Sequence, residues 1–328
     1  MQRRKFITLI GGATAWPLSV KAKEPDRIRR IGLLLPFSAD NPELQPELAV
    51  FKKSLQDAGW TEGRNVRLEF RFTDASAEQI RIAATDLVAA VPDVIFAFGN
   101  PTVAALRQIT QTIPIVFNNV SDPVGSGFVT NLKRPGANIT GFHNFETTIG
   151  GKWLDILRQI VPEMRRTMFV YHPDVAANVS FFRAAEAASG SLRVKVTGAG
   201  VRNAAEIEPA LTAFAADSNG GLIVAPYPLI IANRDRIIAL TARLRLPAIY
   251  AFRFFPTYGG LVSYTSNRFE QWQGAASYVD RILRGTSPGE LPVQLPTKYE
   301  LIVNLKTAKA LDLEIPSKFL ITADEVIE

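Results

Sequence analysis

The sequence predicts an α/β fold of two doubly wound lobes built on parallel sheets. Three observations lead there. From residue 28 onward, short apolar runs alternate with longer amphipathic segments, the grammar of βαβ units. The series restarts near Gly150, so the set of units occurs twice. At 328 residues the chain also exceeds the length at which one hydrophobic core usually stops growing, so two bodies are expected.

The elements follow in order. Ile31 to Leu35 is a continuous apolar run ended by Pro36, which reads as a buried strand. Residues 44–58 form a helix whose Leu48, Phe51 and Leu55 face one side, and Gly59 stops it. Val66 to Phe72 alternates strictly, as a half-exposed strand near a sheet edge does. A helix over 77–90, a strand over 94–98, a helix over 102–110 and a strand over 115–117 complete the first series. The second series predicts helices at 151–160, 180–188, 206–216 and 233–243, with strands at 167–171, 193–196, 221–225, 248–251 and 261–263. An amphipathic helix over 269–283 ends at Arg284-Gly285. Pro288, Pro292 and Pro296 then hold an extended stretch before a strand at 299–304 and a helix at 305–311. That ending implies a chain that crosses between lobes more than once, near 141–144, near 264–268 and around 292–298. The expected division is 28–142 plus about 267–292 for the first lobe, and 143–266 plus about 293–328 for the second.

Residues 1–22 read as a cleaved export signal. Arg3-Arg4-Lys5 precede a weakly apolar stretch too short to span a bilayer, and Val20-Lys21-Ala22 offers small residues for cleavage after Ala22. The paired arginines resemble a twin-arginine signal, and a basic leader serves the general secretory route equally. Residues 1–22 carry four basic and no acidic side chains, so the formal charge of +6 falls to +2 without them. That argues against a nucleic-acid partner, which needs a basic face on the folded body. With no cysteine, neither a thiolate metal site, a thiol nucleophile nor a lipid anchor is expected, and a periplasmic location follows from the leader.

Ligands of open parallel sheets sit beyond the carboxyl ends of the strands. That rule selects Phe37-Ser38, Asn100-Pro101-Thr102 and the loop to Ser121-Asp122 from the first series, and Asn178, Tyr227 and Phe252 from the second. In "FGNPTVAAL", Pro101 fits a first helical turn and Gly99 permits a sharp bend, leaving helix amides toward the crevice. A capped helix that contacts only water is the other reading. Neither this loop nor Gly125-Ser126-Gly127 completes a phosphate loop or dinucleotide fingerprint, so no cofactor is expected. The two histidines, His143 and His172, have no metal or catalytic spacing. Phe37, Tyr227 and Phe252 are expected as apolar walls, and Asp122 as a clamp for an ammonium or as a simple turn cap.

The segments "IPIVFNNVSDPVGSGFV", "RPGANITGF", "GKWLDILRQIVP", "RLPAIYAFR", "GGLVSY" and "LPVQLPTKYELIVNLKTAKAL" resemble the substrate-binding proteins of ATP-binding cassette transporters, in the family that includes tryptophan-binding lipoproteins. The resemblance spans residues 28–328 and implies a type I periplasmic-binding fold with a multi-stranded hinge. It also implies capture of an aromatic or other apolar amino acid and delivery to a membrane permease. Two departures stand out. Thr265 follows Ser263-Tyr264 where many members have glycine, and the run Arg253-Phe254-Phe255 would admit an aromatic carboxylate as well as an amino acid. The expectation is therefore a monomeric, non-enzymatic solute-binding protein closing on a small organic ligand. An exported sensory module is the alternative, and an α/β enzyme lacks a catalytic constellation.

Overall fold

The computed structural model describes residues 27–73 and 76–328. The expected export signal lies outside the described residues. Five parallel strands form the first sheet: β1 (Arg29–Leu35), β2 (Val66–Phe72), β3 (Val94–Phe98), β4 (Ile115–Val120) and β5 (Ile139–His143), in the order β2-β1-β3-β4-β5. Between them run α1 (Gln45–Asp57), α2 (Ala77–Ala89) and α3 (Asn100–Ile109). The second lobe follows with α4 (Ile149–Ile160), β6 (Arg166–Tyr171), α5 (Ala176–Leu192), β7 (Lys195–Gly200), α6 (Ile207–Ala215) and β8 (Gly220–Val224). Next come α7 (Pro228–Ala232), α8 (Arg234–Arg243), β9 (Ala248–Tyr250), α9 (Phe254–Thr257) and β10 (Val262–Ser266). After α10 (Arg268–Leu283), the chain ends with β11 (Tyr299–Asn304), α11 (Leu305–Ala310), α12 (Ser317–Leu320) and β12 (Glu325–Ile327).

The second sheet has the order β12-β11-β10-β9-β8-β6-β7, with β11 antiparallel to β10 and the remaining pairs parallel. Its segment β10-β9-β8-β6-β7 repeats the order of the first sheet, read from the other end. In both, strand order reverses beside the first strand of the series, between β1 and β3 and between β6 and β8. Connections on either side of such a point leave in opposite directions and open a crevice at the carboxyl ends.

Alternation along the strands sends side chains to two cores. Ile31, Leu33 and Leu35 of β1 and Phe96 and Phe98 of β3 join Phe51 of α1 and Trp272 of α10, whereas Leu34, Ile95 and Ala97 meet Leu87 of α2 and Val103 of α3. The Phe96 and Trp272 rings lie 4.7 Å apart. Helix α10 thus returns from late in the sequence to cover the first sheet. Around it the chain passes between lobes in three neighbouring segments. His143 N donates to Gln294 O at 2.9 Å, Gln294 N to Gly141 O at 2.9 Å, and Asn267 N to Lys298 O at 3.1 Å.

Several boundaries differ from the periodicity, each for a local reason. The segment 193–196 does not begin a strand, because Arg193 caps α5 in the left-handed conformation (φ 54°) and β7 starts two residues later. The expected helix over 233–243 is preceded by a short turn of helix, α7, started by Pro228. Near the start of β1, the Arg30 guanidinium reaches across to Glu69 of β2 at 2.8 Å. Among the described residues no helix is long and apolar enough to cross a membrane.

Candidate functional site

A cavity of about 680 Å³ lies where the carboxyl ends of the two sheets face each other. It is lined by loops that leave the reversal points: Phe37 and Ser38 after β1, Asn100 and Pro101 after β3, Asp174 and Asn178 after β6, and Pro226 and Tyr227 after β8. Aromatic rings make its walls. Phe37 meets Phe98 edge-on at 5.1 Å on one side, while Phe252 stacks on Phe254 at 5.4 Å on the other. Tyr227 lies 4.4 Å from His172, and its hydroxyl is held above the usual range chiefly by burial. Ser38 stands at the mouth beside Asp40, whose carboxyl it holds below the usual range through a hydrogen bond.

Eight of the ten expected side chains thus line one cavity: Phe37, Ser38, Asn100, Pro101, Ser121, Asn178, Tyr227 and Phe252. Three of the polar ones are already engaged with the protein. Asn100 donates to Ser121 O at 2.8 Å and Ser126 Oγ at 3.1 Å and accepts from Ser121 N at 2.8 Å. Asn178 accepts from His172 N and donates to Pro226 O, both at 3.1 Å. The Ser121 hydroxyl donates to Asn144 Oδ1 at 2.8 Å. Each asparagine therefore pins two strand-end loops of its own lobe in place.

Thr102 and Asp122 do not line the cavity. Thr102 is fully buried, with its hydroxyl 2.9 Å from both Phe98 O and Gly99 O, because it lies one turn into α3 and bonds back to the strand end. The Asp122 carboxylate turns back to accept from Gly125 N at 2.9 Å and caps a turn outside the cavity lining. The backbone there is left-handed (φ 44°), and a Cβ on Gly125 would fall 2.1 Å from Asp122 Oδ2. Asp122 N donates to His143 Nε2 at 2.8 Å. Burial pushes the His143 imidazole down to about 4, against the opposing pull of Asp122, so it is a neutral acceptor at neutral pH.

The arginines of the cavity escaped sequence reasoning. Arg253, the cation of the Arg253-Phe254-Phe255 run, reaches Glu325 at 2.7 Å and Glu300 at 3.7 Å, and it is Phe254 that lines the cavity. The lining arginines are Arg234 of α8 and Arg268, the first residue of α10. Arg234 pairs with Asp235 at 2.8 Å and with Glu43 of the first lobe at 3.8 Å, and its guanidinium stacks over Tyr258 at 3.8 Å. Arg268 faces Glu47 with an Nε to Oε1 distance of 2.8 Å, and the pair is almost wholly buried. Burial pushes the Glu47 carboxyl up to about 7, Arg268 pulling against it and Glu43 with it. No motif marks either arginine. A basic residue opening an amphipathic helix is ordinary, and its ion partner lies 221 positions away.

Comparison with known proteins adds a family to this geometry. A tyrosine-binding protein from Clostridioides difficile (strain R20291) is 23% identical over 293 residues, covering 89% of this chain and 84% of the relative. The structure of an ABC domain in complex with L-Trp from Streptococcus pneumoniae matches with a TM-score of 0.82 at 20% identity, over 91% of this chain and 99% of that one. A ligand-free, open substrate-binding protein with adhesive properties from Clostridium difficile matches with a TM-score of 0.70 at 23% identity, over 92% and 99%. The fold is that of the type I periplasmic-binding proteins. The family model for ABC transporter substrate binding proteins matches residues 38–327, and the chain belongs to that family.

Proposed function

We propose that this protein works in the periplasm, closing its two lobes around an aromatic or apolar amino acid or an aromatic carboxylate and delivering it as a monomer to the permease of an ATP-binding cassette importer. One observation carries the reading: both sheets present their reversal points to the same cavity, and its walls are rings from both lobes. A ligand held there touches Phe37 on one side and Tyr227 and Phe252 on the other only when the lobes are together. That differential contact is what shifts a hinged protein toward closure. The better match to the L-Trp complex than to the ligand-free open structure supports lobes that stand close together here. The tyrosine-binding relative supports the aromatic class.

A thermal-shift screen of the purified protein against the twenty amino acids and a set of aromatic carboxylates tests the reading. One or more of these compounds should raise the unfolding temperature in a saturable manner. A flat response across the whole panel would remove this ligand class.

A further inference from the structure

Arg268 stands at the back of the cavity between the lobes. Its guanidinium carbon is 5.7 Å from the centroid of Phe98 on the first lobe and 5.7 Å from that of Phe252 on the second. The side chain is 12% exposed and lines the cavity, whereas Glu47, behind it, is 5% exposed and does not. A guanidinium presents two donor edges. Nη2 donates to Glu47 Oε2 at 2.8 Å, Nε lies 2.8 Å from Glu47 Oε1 as an ion pair without a well-aligned hydrogen bond, and Nη1 is the nitrogen turned away from that carboxylate. The acids lining the cavity are committed in the opposite sense. Glu43 lies 3.8 Å and Asp235 2.8 Å from Arg234, and Asp174 lies 2.9 Å from Arg202. An incoming carboxylate meets an open cationic edge, and an incoming ammonium meets acids that already hold an arginine.

We propose that Arg268 is the anion-recognition residue of the cleft, its Nη1 and Nη2 edge taking the carboxylate of the ligand, so that the substrate class is organic acids with an aromatic or apolar body, with or without an amino group. The proposal rests on the reading of the cavity as a capture site. The groups facing Glu47 are Arg268 and Trp272 from α10 and Glu43 from the segment before α1. A ligand carboxylate on the far edge of Arg268 adds a second anion and raises the proton affinity of Glu47 further. Because the unliganded carboxyl already titrates at about 7, binding takes up a proton above that pH, and affinity rises as pH falls toward it and then levels off.

Calorimetry with three probes that share one ring and chain separates the charges: 3-phenylpropionate, L-phenylalanine and 2-phenylethylamine. The first two should bind and the amine should not. Arg268→Gln should weaken both acids by about thirtyfold or more, the usual effect of removing one partner of a buried charge contact. Glu47→Gln, which leaves Arg268 in place without its anion, should tighten the acids and flatten the dependence of affinity on pH between about 6 and about 8.5. The amine binding as well as the acids, or unchanged acid affinity in R268Q, overturns the proposal while leaving capture intact. If R268Q fails to fold, E47Q decides: unchanged affinity with an unchanged pH profile also overturns it. If no amino acid or organic acid binds the wild-type protein, the capture reading falls and takes the proposal with it.

Discussion

Near the start of α5, Asn178 accepts from His172 N and donates to Pro226 O, tying together the loops that follow β6 and β8. It is 1% exposed, so removing its amide strands a donor and an acceptor that water reaches poorly. Asn178→Ala should lower the unfolding free energy by about 2 to 4 kcal/mol in denaturant titration, with ligand affinity falling too as the Tyr227 loop loosens. A change below about 0.5 kcal/mol would mean the loops hold their shape without it. The residue type and its place after a strand were legible in the sequence; its employment was not. An asparagine in a strand-end loop reads as a ligand contact because both uses need the same amide. Asp122 was ambiguous for the same reason, and only the space left by Gly125 directs its carboxylate inward.

At the scale of elements, helices α4 and α5 pack closely because α4 offers Gly150 and Gly151 to the flank of α5. A Cβ on Gly150 would lie 1.9 Å from Phe181 O, a backbone atom that moves only if α5 moves. Alanine ordinarily favours a helix by about 1 kcal/mol over glycine, yet near the first turn of α4 that gain is small against the forced separation. Gly150→Ala should therefore destabilise by about 1 to 3 kcal/mol. Gly190, near the end of α5, has open space around its would-be Cβ, so Gly190→Ala should be neutral or stabilising in the same unfolding assay. Equal effects at both positions would refute the close-packing account. Elements like these, with ten or more residues and a clear apolar face, were readable from periodicity. Strand β5 was not, since Gly141 interrupts five residues and the ladder with β4 shifts register between Phe117 and Val120. Strand β12 is three residues whose pairing with β11 depends wholly on tertiary placement.

Across the whole molecule, closure and the open state compete for a small difference in contact between lobes. The ion pair between Arg234 and Glu43 crosses the cleft at 3.8 Å, with the two side chains 21% and 32% exposed. Partly solvated pairs of this kind contribute at most about 1 kcal/mol and weaken with salt. Its loss therefore costs little when a ligand bridges the lobes, and matters more when none does. In a two-state hinge, apparent affinity scales with the fraction of molecules already in the competent state. Arg234→Gln should raise the dissociation constant of any cleft ligand by no more than about fivefold, mostly through faster release, with the gap between variant and wild type shrinking as salt rises. In small-angle scattering the unliganded variant should be more expanded than the unliganded wild type, while the two liganded forms coincide. Identical unliganded profiles would show that the pair follows closure without favouring it, and a much larger loss of affinity would mark Arg234 as a ligand contact in its own right.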